Sequence, residues 1–129
     1  MRFIIGGNAS GKLQRVYELG YQDSDILYCK HNEIPQIENQ RVLYKLNTLI
    51  DTLMKHDIEP KEYINSLMKN SNIEVIVCDE VGCGVVPMQR YERDFRECVG
   101  RISCLVATNA NSVERIYCGI ATVIKSDES

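Results

Sequence analysis

The stretch FIIGGNASGKLQR, residues 3–15, holds the residues best suited to chemistry near the start of the chain. Gly6, Gly7 and Gly11 allow tight backbone curvature, so successive N–H groups can face a phosphate. Asn8 and Ala9 complete the turn, and Ser10 can donate a further hydrogen bond or cap the helix that follows. Lys12 brings a mobile cation for the β- and γ-phosphates, and the start of the helix adds its positive end. The order fits the phosphate-binding pattern G-x-x-x-x-G-K-[ST] in all but its last place, where Leu13 stands. A leucine cannot ligate Mg²⁺, which takes oxygen ligands at about 2.1 Å. Because the metal bridges the transferring phosphates in such enzymes, Leu13 weakens metal-dependent catalysis more than nucleotide binding. The competing reading is a glycine turn that merely precedes a helix.

A second group lies in VIVCDEVG. Asp79 ends an apolar run, where an aspartate can hold Mg²⁺ through water. Glu80 can act as a base or join the metal, and both acids can instead cap the glycine turn beyond them. Carboxyl ends of parallel strands are where open α/β sheets place ligands. In RYERDFRECVGR, Arg93 and Arg96 fall at helical spacing and could share one side. They either clamp phosphate or, interleaved with Glu92, Asp94 and Glu97, form a solvated face. The only histidines are His31 and His56; spacing gives neither a partner, and His56 reads as a helix-end residue.

The elements that must position these groups alternate. MRFIIGG is a short apolar strand stopping at two glycines, and SGKLQRVYELG a helix ending at Gly20. Strand, glycine loop and helix form the setting that gives the loop its meaning. DSDILYCK reads as a second strand and HNEIPQIENQ as a loop. RVLYKLNTLIDTLMKH reads as one long helix from its apolar spacing, and KEYINSLMKN as another. IEVIVCDEVGCGVVP opens with a buried strand. QRYERDFRECVGRISCLVATNANSVERIYCG holds one long helix or two short ones with a kink at Gly100, its end able to become a strand before IATVIK. Apolar strands with little alternation, separated by helices, predict a three-layer α/β domain with a mostly parallel sheet. Residues 1–125 are expected to form a single nucleotide-binding domain and 126–129 a loose tail.

Composition narrows the partners. The chain has 129 residues, 44% hydrophobic and 26% charged, a net charge of -3 and a pI near 5.4. This gives no basic footprint for nucleic acid. There is no apolar run of membrane-spanning length, and the opening lacks a signal-peptide pattern, so a cytoplasmic protein is expected. The six cysteines contain no C-x-x-C pair and match no zinc or iron–sulfur spacing, so they read as reduced thiols.

These segments together resemble the bifunctional adenosylcobinamide kinase/adenosylcobinamide-phosphate guanylyltransferase family of cobalamin biosynthesis. GGNASGK is similar to the family's GGxRSGK, EVGCGVVP to its E-V-G-x-G-I-V-P, RDFRECVGR to its R-x-F-R-D-x-x-G-R, and GIATVIK to its G-x-P-x-x-I-K. The resemblance implies a P-loop NTPase-like fold, binding of GTP or ATP, a corrinoid substrate and a homotrimer. It places the loop role on Gly6, Gly7, Ser10, Gly11 and Lys12, the acidic role on Glu80, and the helix arginines at Arg93, Arg96 and Arg101. The family pattern is not complete. Leu13 replaces the hydroxyl, Ser103 and Cys104 stand for an asparagine–glutamine pair, and Asn111 stands for an aspartate. The arginine-rich histidine segment that carries the guanylyl group is missing, so guanylyltransferase activity is not expected and His31 is not assigned to it. The expected function is cobinamide kinase-like nucleotide binding with phosphoryl transfer. The alternatives are a noncatalytic nucleotide-binding sensor or partner subunit, and an enzyme for another small substrate.

Overall fold

In the computed structural model, residues 1–7, 9–81 and 89–126 are described. Asn8, the glycine-rich part of EVGCGVVP and residues 127–129 lie outside the described residues. Six strands form one sheet: β1 (Arg2–Gly6), β2 (Ile26–Tyr28), β3 (Val42–Tyr44), β4 (Val75–Asp79), β5 (Ser112–Tyr117) and β6 (Ile120–Ser126). Their order is β2-β3-β4-β1-β5-β6. The first five neighbours run parallel and β6 is antiparallel to β5. Four helices are described: α1 (Lys12–Glu18), α2 (Leu46–Lys55), α3 (Pro60–Asn70) and α4 (Arg90–Asn109). This is the mostly parallel α/β architecture expected from the sequence.

The apolar strand runs arise because both faces of the sheet are covered. Phe3, Leu43 and Ile76 point into a core with α2, α3 and α4, including Leu49, Leu53, Ile64 and Val106. Their neighbours Ile4, Val42, Val75 and Val77 point the other way, onto Val16 of α1. A strand buried on both sides shows no polar alternation. On α2, Leu46, Leu49, Ile50 and Leu53 are all fully buried, each contributing roughly 2 kcal/mol of burial.

The expected helix over RVLYKLNTLIDTLMKH is divided. Val42–Tyr44 is strand β3, inserted between β2 and β4, and the helix begins only at Leu46. Lys45, at φ 74°, turns the chain between them. Val42 and Leu43 are fully buried on opposite faces, a burial that short-range periodicity cannot distinguish from a helical stripe. The later segment forms one continuous α4, unbroken at Gly100, followed by β5. Gly100 is exposed beside buried Val99, so no packing demand bends the helix there. Ser126, the first residue of the expected tail, ends β6 opposite Ser112. Cys29, Cys78, Cys98, Cys104 and Cys118 are free thiols. Among the described residues, no helix is long and apolar enough to cross a membrane.

Candidate phosphate-binding site at the carboxyl edge of the sheet

Register brings the two sequence-predicted clusters together. Parallel pairing sets Gly6 of β1 beside Asp79 of β4 on one side and Ile116 of β5 on the other. The loop leaving β1 therefore rises between an acid and the β5–β6 turn. Gly6 has no room for a side chain: a Cβ there would lie 2.6 Å from the Ile116 carbonyl oxygen and 2.7 Å from Ser10 Oγ. The loop folds back as the Ser10 N–H donates to the Gly7 carbonyl at 3.2 Å. Gly11 takes φ +99°, and a Cβ on it would approach Gly119 Cα to 3.1 Å. Cys118 and Gly119 both have positive φ, as a tight two-residue hairpin turn requires. The Gly119 N–H donates to the Ser10 carbonyl at 2.8 Å, tying that turn to the loop.

Lys12 opens α1 and is buried, with 3% of its surface exposed. Its ammonium lies 2.9 Å from Asp79 Oδ1, donates to the Gly7 carbonyl and lies 3.5 Å from Ser10 Oγ. The other Asp79 oxygen, Oδ2, is 4.0 Å from Lys45 Nζ. The Asp79 backbone N–H donates to Asn47 Oδ1 at 3.1 Å, linking the strand end to the first turn of α2. Glu80 is placed by its own N–H, which donates to the Gly6 carbonyl at 2.8 Å. Its carboxylate receives Arg115 through Nε at 2.7 Å and Nη2 at 3.2 Å, a two-pronged pair across the strand ends.

Leu13 packs against the core of Ile4, Val16 and Ile116. It replaces a hydroxyl by an apolar contact and supplies no oxygen. With Asp79 facing two ammonium groups and Glu80 facing a guanidinium, the side chains do not fit a directly coordinated Mg²⁺. Among the described residues, no group of three or more His, Cys, Asp or Glu side chains could hold a metal ion. A cavity of about 250 Å³ adjoins the acids, closed by Val99, Gly100 and Ser103 of α4. Arg96 is partly buried one turn before Gly100, whereas Arg93 is exposed nearer the helix start. The larger cavity, about 570 Å³ between the start of α3 and α4, is lined by Lys61, Cys98 and Arg101 and includes no residue of the loop.

Sequence spacing did not find Lys45, Asn47 or Arg115, because they reach the acids through strand order rather than through a motif. It also missed Asp51. That carboxylate accepts from the Tyr91 hydroxyl, lies 3.2 Å from Lys55 Nζ and 3.6 Å from His31 Nδ1. Burial works to raise its pKa, but hydrogen bonds from Tyr91, Lys55 and His31 outweigh it and hold the group below its ordinary value. His31 itself is largely exposed, and His56 caps the end of α2.

Comparison with known proteins agrees with this architecture. Residues 36–124 match the family model described as Cobinamide kinase / cobinamide phosphate guanyltransferase, a span that starts after the glycine loop. Over 51 residues the chain is 43% identical to the bifunctional adenosylcobalamin biosynthesis protein CobU of Escherichia coli (strain K12), covering 40% of this chain and 28% of that relative. It is 41% identical over 51 residues to the protein of the same name from Salmonella typhimurium (strain LT2), again covering 28% of the relative. The aligned segment thus spans little more than a quarter of either relative's length. With the family model matching more than half of the chain on a P-loop NTPase-like α/β fold, the chain belongs to the cobinamide kinase / cobinamide phosphate guanyltransferase family.

Proposed function

We propose that this chain is a cobinamide kinase-like protein that binds a purine nucleoside triphosphate, GTP or ATP, at the loop of residues 6–13. The observation that carries the reading is the position of Lys12, which opens the helix after the loop and meets Asp79 at the end of the neighbouring strand. In this reading the amides of Gly7, Ala9 and Gly11, with the Ser10 hydroxyl, face the phosphates. Lys12 exchanges Asp79 for the β- and γ-phosphates, and residues 1–125 act as one nucleotide-binding domain. A corrinoid is the acceptor by virtue of the family and of what its relatives are named for. The cavity of about 250 Å³ beside Glu80 has room for the hydroxyl-bearing arm of such a molecule, not for its macrocycle. Glu80 accepts the hydroxyl proton once it parts from Arg115, and positioning with charge stabilisation does the rest.

A second reading, nucleotide binding without transfer, is favoured by one specific arrangement. Leu13 is committed to the core, and both carboxylates of the site are held by cations. Two measurements separate the readings. Calorimetric titration with GTP and ATP, with and without Mg²⁺, should show binding that Lys12→Ala abolishes; absence of binding in wild type under every condition would sink both. Incubation with γ-labelled nucleotide and adenosylcobinamide should then give labelled product that is lost in Glu80→Gln. Binding without product rules out transfer to this corrinoid and favours the noncatalytic reading.

A further inference from the structure

We infer that Lys45 is a second phosphate-binding cation, taking the place that a divalent metal fills in related nucleotide sites, so that nucleotide binding by this chain does not require Mg²⁺. The inference rests on the nucleotide-binding reading above and adds to it a residue and an ionic requirement. Lys45 sits at the turn from β3 into α2, where its backbone N–H donates to the Val77 carbonyl at 3.0 Å. That bond fixes its Cα beside β4, two residues before Asp79. Its φ of 74° is unusual for a side chain with a Cβ, and it brings the lysine to the carboxyl edge, where Lys12 also lies.

The two lysines divide one carboxylate. Lys12 takes Oδ1 at 2.9 Å and is buried; Lys45 stands 4.0 Å from Oδ2 with 41% of its side chain exposed. One anion between two cations leaves the site net positive, the sign that a polyphosphate requires. The loose contact and solvent exposure of Lys45 let its ammonium turn to an incoming phosphate without giving up a close ion pair of its own. Leu13 removes the oxygen that would favour a metal, and Lys45 already brings a positive charge to the edge where that metal would sit. Lys45 therefore supplies from the protein a positive charge at that edge.

Titration of ATP and GTP into the full chain, in EDTA and in Mg²⁺, tests this. Wild type should bind in EDTA with an affinity within about threefold of that in Mg²⁺. Lys45→Asn, chosen because asparagine tolerates positive φ, should weaken binding in EDTA about tenfold or more, as expected for a charge-assisted hydrogen bond. Lys45→Arg should restore most of the affinity, and matched thermal unfolding of the variants confirms that the fold is intact. Unchanged affinity of Lys45→Asn in EDTA overturns the inference while leaving nucleotide binding standing. So does wild-type binding that appears only with Mg²⁺. Wild type that binds in neither condition overturns the nucleotide reading and this inference with it.

Discussion

The ammonium of Lys12 lies 2.9 Å from Asp79 Oδ1, joining the first residue of α1 to the last residue of β4. Both groups have little contact with water, with side-chain exposures of 2% and 14%. Removing one partner of such a pair leaves the other short of compensation, at a cost of about 3–5 kcal/mol. Asp79→Ala should therefore lower the urea-unfolding free energy by that order. Adding Lys12→Met to it should recover part of the loss, since no buried charge is then left unpaired and Lys45 is exposed. A double variant that is destabilised by the full sum of the two single changes would show that the ions do not interact.

Two neighbouring glycines should respond differently to the same substitution. A Cβ at Gly6 would lie 2.6 Å from the Ile116 carbonyl oxygen, while one at Gly7 meets nothing within 4 Å. Gly6→Ala must push β1 from β5 or displace Ser10, and should cost about 2–3 kcal/mol. Gly7→Ala should stay within about 0.5 kcal/mol of wild type. Thermal unfolding of the two proteins side by side checks the contrast, and equal melting temperatures would contradict it.

Glu114 makes the fold sensitive to acid. It is 1% exposed on β5 and is held by Arg15 at 2.7 Å and by Arg2. Burial alone would raise its pKa; the two guanidinium groups reverse that and lower it from an ordinary value of 4.5. A carboxyl with a lowered folded-state pKa gives stability that is present above its unfolded value and lost as pH falls through the folded one. Wild-type stability should thus fall more steeply than that of Glu114→Gln as pH drops below about 4.5. Parallel pH dependences in the two proteins would rule the pair out as a source of the slope.

Thiol reactivity should follow burial. Burial pushes the Cys29 and Cys78 thiols up to about 12, so neither forms thiolate near neutrality. Cys104 and Cys118 are exposed. A disulfide reagent at pH 8, followed by peptide mapping, should label Cys104 and Cys118 in the native protein. Cys29 and Cys78 should be labelled only after denaturant is added.

Part of this arrangement was legible in the chain. GGNASGK between an apolar run and a helical pattern marked the loop, because an apolar strand that stops at glycines before a helix needs a turn there. Asp79 and Glu80 were legible as strand-end acids. β3 was not: Val42 and Leu43 continue a spacing that suits a helix, and only their burial between β2 and β4 makes them strand. Lys45 was unreadable for the same reason, since inside a helix it would be an ordinary surface lysine. Arg115 sat in a segment whose strand character was only one of two options, and its pairing with Glu80 depends on β5 lying next to β1 rather than next to β4.

The amino-acid sequence by itself determined the alternating α/β pattern, the glycine loop with Lys12, the loss of an oxygen at Leu13 and the family motifs. Each of these is local, fixed by residue type and short-range spacing. Tertiary structure alone decided which charges meet: Lys12 and Lys45 on Asp79, Arg115 on Glu80, Arg2 and Arg15 on Glu114. Those contacts join residues far apart in the chain through strand order and parallel register. Sequence spacing cannot carry them, because the distance between two side chains across a sheet is set by which strands pair and not by the number of residues between them.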